Sequence, residues 1–448
     1  MSDDLEARAA EAVSWMKSQS RTASAEIYLS RTRSRSLARR DGARDGVELA
    51  ESLGAGVRVV EDGRVGFASA GGADPATLRG LWRRAVEQLP HAETQAGRAL
   101  PAPAADAADA AFEAALWDET LFSRPWDALE TRLVEAEAAA SAKGRARALR
   151  SEIGESRGEV VVANTLGLLA RARAGSVTVS VSSAAEDGGE TQVGEGCREA
   201  RRFEAVDAAA AGAEAARRAL ATIGGRRARA GRRAVVLEPW VAVEFLELLA
   251  ELLSAEEVQG GRSLLAGRLG KRIASPLVTL RDDPRRPGGP ASASFDDEGV
   301  PTRDKALVEA GVLRALLHDS ATAAREGAAS NGCGYRDGWS GLPGPGPSNL
   351  FLAPGTLSRD ALLAGTKDGL LVLEVLGTHM IDPVSGEFSV GVSGLQIENG
   401  ALGRPFKGAM LAGNLLDLLA RVDAVADDLV FHGSFGAPTL RVSALDVA

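Results

Sequence analysis

Apolar residues recur at helical spacing at the start of the chain, where Leu5, Ala9, Ala12, Val13 and Met16 share one face. The pattern then changes to the two-residue alternation of a strand over 25–30. Residues 55–70 alternate on both sides of Asp62-Gly63, a pair that tolerates the positive φ of a tight turn, so a β-hairpin is expected there. Helices are expected at 75–89 and 125–141, with a Pro/Ala-rich connector at 100–110 between them. Alternation at 148–153, 159–164 and 176–182 predicts antiparallel strands. A helix over 206–222 ends in paired glycines and clustered arginines, 224–233.

Beyond that cluster, 234–237 reads as a buried strand and 240–254 as a helix whose Val243, Leu246, Leu249, Ala250 and Leu253 form the apolar side. Glu244, Glu247 and Glu251, spaced by three and four, read as its solvated face, against the alternative of a carboxylate cluster for metal or acid–base work. Residues 331–349 are too rich in Gly and Pro for a helix or a central strand. Strands are expected at 369–376 and 386–398, a helix at 410–420 and a last strand near 437–444. The fold class is α+β, with an N-terminal part of helices and antiparallel sheet and a mainly-β C-terminal domain with a few helices. The expected divisions are 1–98, a β-rich middle at 112–225, and 232–448.

Composition narrows the function classes. With 448 residues, 45% apolar and 25% charged, the chain suits two or three globular domains. The net charge is −9, lysine supplies six of the 52 basic residues, and the 226–233 arginines have no interleaved aromatics, so a nucleic-acid partner is not expected. No window reaches the ~18 apolar residues of a membrane span, and no basic start leads into an apolar run. Cys197 and Cys333 lie in different halves with no histidine nearby. A cytoplasmic, reduced protein without a thiol-protease signature is therefore expected.

A hydrolytic metal site needs about three converging ligands, usually with two histidines on one helix face. His91, His318, His379 and His432 are all far apart in sequence, so no catalytic or metal-binding residue is assigned. Asp282-Asp283 and Asp296-Asp297-Glu298 sit beside Pro or Gly and read as turn caps rather than cation ligands. His379 lies in a Gly-rich loop, where it either bonds its own loop or is displayed for function.

The stretch Gly377 to Gly400, Gly-Thr-His-Met-Ile-Asp-Pro-Val-Ser-Gly-Glu-Phe-Ser-Val-Gly-Val-Ser-Gly-Leu-Gln-Ile-Glu-Asn-Gly, resembles the C-terminal signature of the TldD/PmbA family of metallopeptidase-related proteins. Further resemblance lies in Ala23 to Arg40, Glu51 to Ser69, Ser294 to Thr302, Ser348 to Gly355 and Leu411 to Leu415. It implies a PmbA (TldE) type subunit, because Glu238 to Gly261 lacks the His-Glu-and-His helix of the TldD type and 431–439 lacks its cysteine-bearing loop. No zinc ligand can be carried over to this chain. The resemblance implies a zinc-bearing TldD-like partner, an enclosed chamber and short or unfolded peptides bound as an extended strand, with a homodimer when alone and no membrane association. The loops at 331–349 and 377–386 are the expected groove or partner contacts, with Asn331, Tyr335, Asn349, His379, Asp382 and Ser385 named in them. Two alternatives stand beside this. One is a stand-alone enzyme using Glu244, Glu247, Asp296 or Asp297 with His379 or His432. The other is a non-catalytic regulatory protein, in line with the family's older description as a modulator of DNA gyrase.

Overall fold

The computed structural model describes residues 4–20, 22–95, 99–103, 109–141, 144–378 and 381–448. Helix α1 (Leu5–Gln19) starts at Asp4, whose carboxylate accepts the Glu6 N–H at 3.0 Å, and buries Leu5, Ala9, Ala12 and Met16 as the spacing predicts. Strands β1 (Ser24–Arg40) and β2 (Ala43–Glu61) follow, then β3 (Arg64–Gly71) after a turn in which Asp62 and Gly63 both take positive φ. Helix α2 (Pro75–Gln88) has Asp74 as its cap and Pro at the start, and α3 (Ala110–Leu116) is a short helix the pattern did not announce. Next come α4 (Trp126–Ser141), β4 (Ala146–Asn164), β5 (Leu169–Asp187), β6 (Glu190–Ala200) and α5 (Ala208–Ala221). The two short strands expected at 148–153 and 159–164 are one long strand, β4.

These strands form one antiparallel sheet in the order β3-β2-β1-β4-β5-β6. β1 and β4 pair from Glu26–Asn164 to Arg40–Arg150, so the first and middle segments share a sheet. α1 and α2 cover one end through Leu5, Ile27, Val57, Leu81 and Val161, and α4 and α5 cover the other through Leu133, Ile153, Val179 and Ala211. α5 sits directly on β6. A Cβ on Gly196 would lie 2.0 Å from the Ala211 carbonyl oxygen, and one on Gly194 2.3 Å from that of Ala215, so only glycine permits this approach. Among the described residues β6 is an edge strand with no further neighbour in the sheet.

The C-terminal part holds two six-stranded sheets. In one, Ala401–Asn414, Glu387–Glu398, Asp368–Leu376, β7 (Gly231–Leu237) and Leu440–Val447 follow one another, and Leu411 and Ala412 pair back onto Val447 and Asp446, closing a small barrel. The other runs from Val312–Leu313 to Val430–His432. Helix α6 (Pro239–Leu252) packs against strands of both, which is why it buries Val241, Ala242, Val243, Phe245, Leu246 and Leu249 around most of its circumference. The helix expected at 410–420 is instead strand up to Asn414 and helix only over Leu415–Ala420. Pairing of Met410 and Leu411 with Gly391 and Val390 overrides the helical spacing, and Asn414 caps the shorter helix.

A buried ionic cluster joins the first sheet to the C-terminal part. Arg58 bonds Glu26 at 2.7 Å and Glu298 at 3.1 Å, and Arg336 also pairs with Glu26. Tyr28 donates to Asp297 at 3.1 Å. Glu298 further accepts the Ser320 N–H at 2.7 Å, and Asp296 accepts the N–H groups of Glu298, Val300 and Gly334. The turn-capping expectation thus holds for Asp296, while Asp297 and Glu298 serve long-range contacts.

Candidate functional site

The edge of β6 faces the solvent-side surface of α6 across a groove. One cavity of about 700 Å³ is bordered by Cys197 and Glu199 of β6, Trp240, Glu244 and Glu247 of α6, and the Gly288-Gly289 lip. A second, of about 670 Å³, lies at the first turn of α6 against α5. A third, of about 330 Å³, runs between Val193 to Glu195 and the Leu373 to Val375 strand. Trp240 borders all three. The lip is fixed by Arg201, whose guanidinium bonds the carbonyls of Gly289 and Pro290 and, at 3.2 Å, that of Gly175.

Of the α6 glutamates, Glu247 and Glu251 are exposed, as a solvated face requires, and Glu244 departs from it. Glu244 is partly buried in the groove, where Thr378 Oγ1 lies 3.3 Å from its carboxylate. Burial pushes its carboxyl up, and neighbouring Glu247 adds to the rise. Burial raises Glu247 and Glu199 as well, and raises the Cys197 thiol. Thr378 brings the segment after Asp368–Leu376 to the groove wall, so part of the expected 377–386 contact region lies there.

His432 was a candidate from the sequence, but its neighbour was not. It sits edge-on to Trp240, with ring centroids 4.5 Å apart, on the strand Val430–His432 that runs beside α6. Burial lowers its pKa to about 4. This is below the ~6.5 of an unfolded chain, so the unfolded state takes up the proton first. The stability from neutral His432 is complete above about 6.5 and is lost as pH falls through 4. Between pH 7 and 4.5 His432→Phe is expected to remove on the order of 1–2 kcal/mol of pH dependence after allowing for partial exposure. Urea midpoints of both proteins at the two pH values check this, and equal slopes would contradict it.

The named loop residues have other partners. Asn331 accepts the His318 N–H at 2.9 Å and donates to the Leu316 carbonyl at 2.7 Å. Asn349 is wholly buried and ties Ala291, Asp283 and Ser292 together. Tyr335 places its hydroxyl in the interior, where it has no hydrogen-bond partner among the described residues. Asp382 accepts the Val384 N–H and the Ser385 hydroxyl, both at 2.8 Å, in an exposed turn. His379 lies outside the described residues.

The donors on α6 do not match a metal site of the hydrolytic kind. α6 contributes two carboxylates and an indole but no imidazole, and among the described residues no three His, Cys, Asp or Glu side chains converge at ligand spacing. Among those residues, too, no helix is long and apolar enough to cross a membrane.

Three family models match in chain order: PmbA/TldA metallopeptidase domain 1 at residues 25–89, the central domain at 123–223 and the C-terminal domain at 230–448. The chain is 31% identical over 281 residues to a metalloprotease TldD homolog of Haemophilus influenzae, covering 60% of this chain and 58% of that one. It is 27% identical over 237 residues to metalloprotease PmbA of Escherichia coli O157:H7, covering 53% and 50%. The chain spans about half the length of several curated relatives it matches. A crystal structure from Thermotoga maritima, of a protein described as a candidate modulator of a DNA gyrase, superposes with a TM-score of 0.90 at 26% identity, over 99% of this chain and 100% of that one.

Proposed function

The chain belongs to the PmbA/TldD metallopeptidase family, and from that premise we propose that it is a PmbA/TldE-like subunit that pairs with a zinc-bearing TldD-like subunit to form a cytoplasmic peptidase chamber. The observation that carries this reading is α6 itself. It presents Trp240, Glu244 and Glu247 to a long groove and offers no nitrogen ligand, so this chain's part is to hold peptide, and the zinc belongs to the partner. The β6 edge supports the binding mode. An extended peptide hydrogen-bonds an unpaired strand through its backbone, which tolerates varied sequence, and the three cavities give its side chains room.

A second reading is favoured by one observation, the raised carboxyl of Glu244 beside Glu247. That is the environment of a general acid–base, and it fits a stand-alone enzyme with non-zinc chemistry. One experiment separates the two. Metal content and peptide turnover are measured on the purified chain alone, as Glu244→Gln, and mixed with the TldD-like protein of the same source. Turnover only in the mixture, with zinc carried by the partner, is the expected result. Turnover by the lone chain that falls at least about a hundredfold in Glu244→Gln overturns the subunit reading in favour of the enzyme.

A further inference from the structure

The groove wall around the first turn of α6 carries four guanidinium groups. Arg217 and Arg218 come from α5, Arg198 from β6, and Arg359 from the start of the short helix Arg359–Ala364; they border the cavity of about 670 Å³. The carboxylates among them each have a partner, with Glu238 Oε2 left without a hydrogen bond among the described residues. Asp428 holds Thr439 through its N–H and hydroxyl at 2.8 and 2.7 Å. Glu214 is shared by Arg198 at 2.5 Å and Arg218 at 3.3 Å, and Glu238 by Arg217 at 3.0 Å and Arg359 at 4.0 Å. Each glutamate therefore serves two arginines.

Arg218 is the least compensated of the four. Only 11% of its side chain is exposed, and its ion-pair partner among the described residues is Glu214, which lies 3.3 Å from its Nε without hydrogen-bond geometry and which Arg198 holds more closely. It lies 4.3 Å over the Trp240 ring, and burial pushes its pKa down. A guanidinium taken out of water needs an anionic acceptor, and here that acceptor is incomplete. Arg217 and Arg359 keep 39% and 33% of their side chains exposed at the same cavity, with forked donors that match a carboxylate. The positive end of the α6 dipole adds to the field. Beyond Trp240 the balance tips to carboxylates, because Glu199, Glu244 and Glu247 border the neighbouring cavity against Arg198 and Arg286. The groove is thus polarised along its length.

We propose that the arginine end of the groove binds the free α-carboxylate of a peptide, whose chain then runs past Trp240 toward Glu244. This rests on the reading of the groove as a peptide site and adds the direction of the peptide and a preference for chain ends. The test is titration calorimetry on the purified chain with an N-acetylated hexapeptide of neutral side chains, as its free acid and as its C-terminal amide, and with acetate. The acid is expected to bind at least about tenfold more tightly than the amide, and the double variant Arg217→Ala/Arg359→Ala to bring the two within about twofold. Equal binding of acid and amide overturns the carboxylate assignment and leaves the peptide groove standing. Binding of neither overturns both. An acid preference that survives the double variant, or acetate binding as tight as the peptide acid, also overturns the assignment, because the anion then sits elsewhere or needs no peptide. Single variants Arg217→Lys and Arg359→Lys, which keep the charge and lose the fork, are expected to retain part of the preference.

Discussion

Arg58→Ala is expected to cost ~3–5 kcal/mol of stability and to loosen the first sheet from the C-terminal part. Arg58 is 3% exposed and neutralises Glu26 and Glu298, which are 1% and 0% exposed at the side chain. Removing it leaves two carboxylates in the interior with, among the described residues, Arg336 and the Ser320 N–H as compensation. The cost is that of stranding buried charge and not of losing attraction, so it is expected to change little with salt. The exposed pair Arg40 and Asp45 is the internal control. Its side chains are 57% and 40% exposed, and Arg40→Ala is expected to stay within about 0.5 kcal/mol. Urea unfolding of both variants at neutral pH measures the difference, and equal midpoints for them would refute the argument. Because the cluster joins two parts of the chain, the Arg58 variant is also expected to unfold in two separated transitions, visible as non-coincident fluorescence and circular-dichroism curves.

Lys305→Met is expected to cost a similar ~3–5 kcal/mol, although it preserves most of the side-chain volume. Lys305 Nζ is 2.7 Å from Asp282 and 3.3 Å from Cys333 Sγ, and Asp282 is fully buried. Asp282 also accepts the N–H and hydroxyl of Ser348 at 2.6 and 2.7 Å, so it anchors the start of Leu350–Leu352 to Leu280–Asp282. Burial drives the Cys333 thiol up to about 12, leaving it a neutral packing group that cannot replace the lost cation or act as a nucleophile. Adding Asp282→Asn to Lys305→Met removes the stranded charge but keeps the acceptor for Ser348. The double variant is expected to recover at least about 1 kcal/mol over Lys305→Met alone. If it is instead less stable by the sum of the two single effects, the pair is not coupled and the explanation fails.

What the residue pattern made legible was the apolar scaffold. α1, α2, α4, α5 and α6 and the Asp62-Gly63 hairpin follow from spacing and turn chemistry, because their buried faces are aliphatic. β1 was foreseen only to residue 30. Its second half alternates Arg with Ser or Thr, and Arg35 and Arg39 are buried against Glu155 and against Glu130 and Glu137, an inward face that no hydropathy pattern reports. β6 escaped notice for a related reason: the glycines Gly194 and Gly196 that let α5 approach leave no apolar alternation to read.

The sequence by itself determined the fold class, the family resemblance and the lack of histidine on α6, since each is a property of residues near one another in the chain. Only the tertiary structure decided what the charged residues do. It joined Arg58 to Glu298 across 240 positions, set His432 against Trp240, turned Glu244 toward Thr378, and gathered four arginines from three elements around one cavity. The physical reason is that burial and long-range pairing fix the energy of a charge, and neither is encoded in its local neighbours.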